Sequence, residues 1–213
     1  MRTYAKNFMF KRTSTYKQRQ TRLSTEWDIR LDVSDQLTAA DIVNNIQQSI
    51  KELQYVIISG VERPDKHYSP EGVKGRPIPS GSEENHVHIG IVFFIPKVRK
   101  DVLELCRGKR KQGDEYCTPR AKQHPYAGWV IHHSKPGYKL PGEPGIRYES
   151  GTLPMDPLTS EWALKIQEKL KRWGSDDTRK RFKSYTDLIS KNKIKEQIEA
   201  LQMSLEDNDI DNP

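Results

Sequence analysis

Cysteine is nearly missing from this chain of 213 residues: Cys106 and Cys117 stand alone. Two thiols make no disulfide framework. Their spacing to His124, Cys-x10-Cys-x6-His, follows no established zinc pattern, so they read as reduced thiols. Long apolar runs are missing too. None approaches the ~20 residues of a membrane span, and no secretory leader pattern is visible. The expectation is a soluble, intracellular chain with no membrane association. A glycine-rich Walker loop is lacking, so ATP hydrolysis is not indicated, and no internal repeat is seen. Apolar residues make up only 34%, against roughly 45–50% in ordinary globular domains. One domain with polar extensions accounts for the deficit. Charge of one sign is missing at each end. Residues 1–25 carry Arg2, Lys6, Lys11, Arg12, Lys17, Arg19 and Arg22 without an acid, whereas no base follows Glu196. The net charge is +7 and the pI about 9.3. Such a basic arm suits a polyanion, nucleic acid first among them. It also suits a solubilising tail.

What is present has a clear order. Tyr4, Phe8, Phe10 and Tyr16 interleave with the bases of the irregular arm, residues 1–24, and aromatic rings among cations can stack on unpaired bases. Glu26 to Val33 alternates apolar with polar, which predicts a strand with Trp27, Ile29, Leu31 and Val33 on one face. Ser34-Asp35 then predicts a helix cap. Leu37 to Leu53 carries Ile42, Ile46, Ile50 and Leu53 at helical spacing. A strand is expected over Tyr55 to Glu62, and residues 63–84 form a long proline- and glycine-rich loop. Loops of that length are commonly functional.

After this loop stands Asn85-His86-Val87-His88-Ile89-Gly90-Ile91-Val92-Phe93-Phe94, which reads as a buried strand. Residues i and i+2 of a strand point to one face. His86 and His88 therefore project side by side, with Val87 turned to the other layer. Two imidazoles on a rigid element make half of a divalent metal site. Alternatively, one histidine packs and the other is solvated.

Beyond Pro96 a helix is expected from Lys97 to Arg107, with Val98, Val102 and Leu105 inside. Its cations Lys97, Arg99, Lys100 and Arg107, with Lys109, Arg110 and Lys111 just after it, form a candidate nucleic-acid surface together with Lys11 and Arg12 of the arm. A short strand is expected at Glu115 to Thr118. Pro125 opens a helix running to Lys135, which Pro136-Gly137 ends. Ile146 to Glu149 is a last strand. The sum is an α+β domain, a central mainly antiparallel sheet with flanking helices, over residues 25–155. A helical extension follows over 156–205, and an acidic tail over 206–213. Asp156-Pro157 is expected to cap a helix that buries Trp162, Ile166, Leu170 and Trp173 and runs to Gly174, and Ser175-Asp176 to cap another. Ile194, Ile198, Leu201 and Leu205 form an apolar seam of two heptads that either docks on the body or pairs two copies as a homo-oligomer.

This order of elements, with His86-Val87-His88, resembles the HUH endonuclease domain of rolling-circle replication initiator (Rep) proteins, as in small circular single-stranded DNA viruses. The resemblance covers roughly residues 25–155. It implies that His86 and His88 bind Mg²⁺ or Mn²⁺ beside a scissile phosphate, with Glu62 of Gly60-Val61-Glu62 completing the site. A hard oxygen beside two imidazoles suits those ions. Leu31-Asp32-Val33-Ser34 lies where the first Rep motif lies and matches it poorly. The family's Tyr-x-x-Lys motif is replaced by His132-His133-Ser134-Lys135: Lys135 fits the lysine, and His132 stands where the tyrosine would. The nearest upstream tyrosine is Tyr126. Nine steps of about 100° put Tyr126 and Lys135 on opposite faces of one helix, whereas seven steps put Tyr126 and His133 nearly on the same face.

The resemblance implies a metal-dependent enzyme that nicks and joins single-stranded or hairpin DNA through a covalent intermediate. His132 or Tyr126 would be the nucleophile and Lys135 would steady charge. A separate helicase would be the partner, and a nuclear location follows if the source is a eukaryotic virus. The competing expectation is a catalytically inactive domain of the same type that binds single-stranded or hairpin nucleic acid. A third is a structural or scaffolding protein whose tails do the work; a basic amino-terminal arm is also what a nucleic-acid-packaging protein would carry.

Overall fold

The computed structural model describes residues 22–64, 84–109 and 116–210, without the side chains of 201 and 203–210. Lys11, Arg12, Arg110, Lys111, most of the 63–84 loop, residues 211–213 and the side chains of Leu201, Leu205 and the rest of the acidic tail lie outside them. Among the described residues no helix is long and apolar enough to cross a membrane.

The chain is α+β, built on an open five-stranded sheet of order β4-β1-β3-β2-β5 in which every pairing is antiparallel. The strands are β1 (Leu23–Asp32), β2 (Leu53–Ser59), β3 (His86–Val98), β4 (Tyr116–Pro119) and β5 (Ile146–Gly151). The alternation read from β1 is real: Trp27, Ile29 and Leu31 are fully buried. They share one face with Val87, Ile89, Ile91 and Phe93 of β3 and Val56 and Ile58 of β2. Helices α1 (Ala39–Gln48) and α2 (Arg99–Arg107) supply Ile42, Ile46, Val102, Leu103 and Cys106 to the same core.

Several boundaries differ from the sequence reading for local reasons. Helix α1 is capped by Thr38, not Ser34-Asp35. The Thr38 hydroxyl accepts from the Asp41 N–H at 3.1 Å, and the Asp41 carboxylate accepts from the Thr38 N–H at 3.0 Å, a reciprocal capping box. Ser34 instead pairs across a tight turn with Leu37. The helix ends at Gln48, and one 3-10 turn (Ile50–Glu52) hands the chain to β2, so Ile50 and Leu53 leave the helical face. Strand β3 continues through Pro96 and takes in Lys97. Pro96 falls where the β1 register jumps between Ser24 and Glu26, and a residue without an N–H is tolerated at such a bulge. Lys97 therefore belongs to a strand, where its ammonium pairs with Glu52 at 2.5 Å.

The chain divides into two compact units: the described residues of Met1–Lys122 with His133–Pro154, and Gln123–His132 with those of Met155–Pro213. The second unit holds α4 (Ser160–Trp173), α5 (Asp176–Arg181), α6 (Lys183–Ile210) and all of α3 (Tyr126–His133) except its last residue. Ser175 caps α5 as read from the sequence. Helix α4 is capped by Thr159, and Asp156 instead accepts from the first N–H groups of α3, Tyr126 at 2.7 Å and Ala127 at 2.8 Å. Ile166 and Leu170 are buried, whereas Trp162 and Trp173 are only partly so. Ile194 and Ile198 of the seam are exposed.

Candidate metal centre

The central strand β3 carries His86 and His88 on the face opposite Val87. Glu62 arrives opposite His86 although β2 has already ended. Its N–H donates to the His86 carbonyl at 2.7 Å, and the His86 N–H donates back to the Glu62 carbonyl at 3.1 Å. Two features hold this last stretch in line. A side chain at Gly60 would place its Cβ 1.9 Å from the Pro144 carbonyl oxygen, so only glycine permits that approach. The Glu143 carboxylate accepts from the Val61 N–H at 2.9 Å. Its pKa is lowered: burial pushes it up, but the Val61 N–H and the Arg147 guanidinium outweigh that.

The carboxylate of Glu62 and the imidazoles of His86 and His88 converge. Glu62 Oε2 lies 3.9 Å from His86 Nε2 and 3.6 Å from His88 Nε2. One donor atom from each of the three residues can be chosen so that all lie within 4.8 Å of one another. Cis donors about 2.1 Å from an octahedral ion stand about 3.0 Å apart, so the Glu62 carboxylate and the two imidazoles would draw together by somewhat under 1 Å around such an ion. The two rings meet edge to face with centroids 5.1 Å apart. His86 is fully buried, with Nδ1 3.3 Å from the Glu84 carbonyl. A proton on Nδ1 leaves the Nε2 lone pair toward Glu62. The donor set fits a divalent cation.

Two lysines complete the surroundings of Glu62, and the sequence pointed to one of them. Lys139 donates to Glu62 Oε1 at 2.6 Å and to the His133 carbonyl at 2.6 Å, with its side chain 3% exposed. Burial lowers its pKa more than Glu62 raises it. Lys135 Nζ lies 3.5 Å from Glu62 Oε2 and 4.3 Å from the centroid of the Tyr138 ring. Pro136–Tyr138 is a 3-10 turn, and positions i and i+3 of such a turn eclipse, which brings Tyr138 under Lys135. His133 is fully buried, with its ring centroid 5.9 Å from that of His88. Lys139, Tyr138 and His133 were not singled out in the sequence. Only the Pro-Gly turn between Lys135 and Tyr138 was a local signal. Lys139 reaches Glu62 across 77 residues, and no spacing announces that.

The other candidates are distributed as follows. His132 belongs to the second unit, where its ring lies edge-on to Trp173 at 5.3 Å. Tyr126 belongs there too, edge-on to Trp129 at 5.8 Å. Of the basic residues, Arg99 donates to the Cys117 carbonyl at 3.2 Å, Arg107 is half-buried, and Lys100 and Lys109 are exposed.

Comparison with protein-family models, with curated proteins and with solved structures gives no match to this chain.

Proposed function

We propose that the first unit is a metal-dependent site that nicks and joins single-stranded DNA, a replication-initiation type of endonuclease working through a covalent protein–DNA intermediate. The observation that carries this reading is the convergence of Glu62, His86 and His88 within 4.8 Å. Lys135 stands 3.5 Å from the same carboxylate. His86 and His88 would hold Mg²⁺ or Mn²⁺ through Nε2 and Glu62 through Oε2, while Lys139 keeps Oε1. The bound ion would draw charge off the phosphate oxygens. The Lys135 ammonium would meet the negative charge that builds on phosphorus-bound oxygen. A side-chain nucleophile attacks phosphorus, the P–O3′ bond breaks, and the 3′ oxygen leaves with a proton as a hydroxyl. Reversal of that step joins strands without an external energy source. Within the first unit Tyr138 is the nucleophile candidate, because its ring lies beneath Lys135; Tyr126 and His132, the candidates from the sequence, belong to the second unit.

One observation favours a second reading. Glu62 already has a buried counter-ion in Lys139, so the cluster also suits an inactive domain of this type that grips nucleic acid.

The test is a nicking assay on labelled single-stranded DNA hairpins with Mn²⁺, resolved on a denaturing gel for a protein–DNA adduct. Tyr138→Phe, Tyr126→Phe and His132→Ala are run beside the parent. The enzyme reading expects an adduct that one of these substitutions abolishes and that His88→Ala also abolishes. Metal binding without cleavage on a broad panel of hairpins would select the inactive domain. Absence of Mn²⁺ binding would refute the metal site in both.

A further inference from the structure

The two ends of helix α6 meet different surroundings. Toward its start Tyr185 and Ile189 are buried, as are Ala163, Ile166 and Leu170 of α4 in the same unit. The Asn192 side-chain amide donates to the Ser160 hydroxyl at 2.9 Å, and Ser160 is the first residue of α4. Helix α4 therefore reaches about as far along α6 as Asn192. The rest of α6, residues 193–210, runs on past that point for about 27 Å at 1.5 Å per residue. Residues 193–200 are all exposed. A helix of that length is marginal in water without a packed face.

The stretch carries such a face. Ile194 and Ile198 are 56% and 51% exposed and stand one turn apart on one side of the helix. Leu201 and Leu205 continue the 4, 3, 4 spacing in the sequence. An apolar stripe restricted to those positions is the narrow seam of a coiled coil, not the broad face of a helix laid on a globular core.

The charges select what pairs with it. Lys191, Lys193 and Lys195 come first, then Glu196, Glu199, Glu206, Asp207 and Asp209, with no base after Glu196. The Lys195–Glu199 pair, at 3.6 Å, is exposed on both sides and worth little. A parallel copy would lay lysines against lysines and acids against acids. An antiparallel copy lays each end against its opposite and sets the helix dipoles head to tail. The chain's own basic arm, which has no acid, answers only the acidic end and is repelled by the lysine end.

We propose that residues 191–205 of α6 pair with the same segment of a second copy of this chain as an antiparallel two-helix coiled coil. The register that aligns the seam puts Ile194 level with Leu205 of the second copy and Ile198 level with Leu201 of the second copy. The two-fold axis passes between Glu199 and Ala200. The interface uses no residue of the Glu62–His86–His88 cluster and needs no metal there.

The test is sedimentation of the full chain over the micromolar range in EDTA. A reversible dimer is expected, weaker at raised salt. Ile194→Gln with Ile198→Gln should weaken it at least ten-fold and leave the circular dichroism melt of the body in place, since both side chains are exposed. Lys191→Glu with Lys193→Glu should weaken it at low salt. Mixing that variant with Glu206→Lys/Asp207→Lys should restore a dimer of the two, a rescue that a folding defect would not show. A nitroxide on Lys193→Cys reads the direction: the labels stand about 20 Å apart along the axis of an antiparallel pair and about 10 Å apart, side by side, in a parallel one. The proposal is overturned by a dimer that survives the isoleucine changes, by the shorter label separation, or by a monomer throughout. A monomer whose 193–205 amides resist hydrogen exchange would give the seam to another segment of the same chain, and an unprotected monomer would give it to a different protein.

Discussion

Replacing Lys139 by methionine removes the ammonium that Glu62 holds at 2.6 Å and leaves a carboxylate whose side chain is 3% exposed. Methionine matches the length of the stem, so little packing is lost. The cost is electrostatic: breaking a buried ion pair from one side costs about 3–5 kcal/mol. The His133 carbonyl loses a 2.6 Å donor at the same time. Lys135, at 3.5 Å from the other carboxylate oxygen, can turn toward Glu62, which brings the expected value to the lower end, about 3 kcal/mol. Removing both charges with Glu62→Gln and Lys139→Met should cost clearly less than the sum of the single changes, because no charge is stranded. Urea unfolding followed by circular dichroism measures this. With a slope of about 2–3 kcal/mol per molar, Lys139→Met should lower the midpoint by about 1–1.5 M. Mn²⁺ should recover part of the loss in Lys139→Met but not in the double variant, because the ion would be the replacement counter-charge for Glu62. A loss below about 1 kcal/mol, or additivity of the two changes, would refute the claim that Lys139 neutralises Glu62.

Other perturbations test the frame around the site. The lowered pKa of Glu143 means that the native state binds its proton less readily than the unfolded chain. Its contribution is present above the ordinary carboxylate range and is lost as pH falls through the folded value. Glu143→Gln should therefore flatten the decline of stability below about pH 4.5 in acid titrations of the melting temperature, and an unchanged acid limb would contradict this. Gly60→Ala forces a Cβ against the Pro144 carbonyl at 1.9 Å. It should destabilise by about 1–3 kcal/mol and weaken Mn²⁺ binding by moving Glu62, whereas calorimetry showing parent-like affinity would argue that the stretch after β2 is loose. Asp156→Ala removes the acceptor for two N–H groups of α3. A buried cap of that kind should be worth about 2 kcal/mol, read as a lower denaturant midpoint, and Asp156→Asn should restore part of it.

Short-range patterns were legible. The alternation of β1 put Trp27, Ile29 and Leu31 in the core, and the i, i+2 rule put His86 and His88 on one face. Both need only the pleat of a strand. The capping residues were less legible. Asp156 was expected to start the helix that follows it, but its carboxylate serves α3, 30 residues earlier in the chain. A carboxylate satisfies whichever exposed helix start lies beside it, and that is a tertiary matter. The extent of β3 was missed because Pro96 usually ends a strand, whereas here it occupies a bulge.

Composition and periodicity by themselves determined an α+β chain with an antiparallel sheet, the paired histidines and the position of Glu62 near the end of a strand. Each of these depends on neighbours a few residues apart, whose geometry the backbone repeats. The tertiary structure alone decided that Lys139 and Lys135 share the Glu62 carboxylate, and that His133 reaches His88 while His132 meets Trp173 edge to face. Those contacts join residues from distant segments. Which of them meet depends on how the whole sheet and its helices close, and sequence spacing carries no record of that closure.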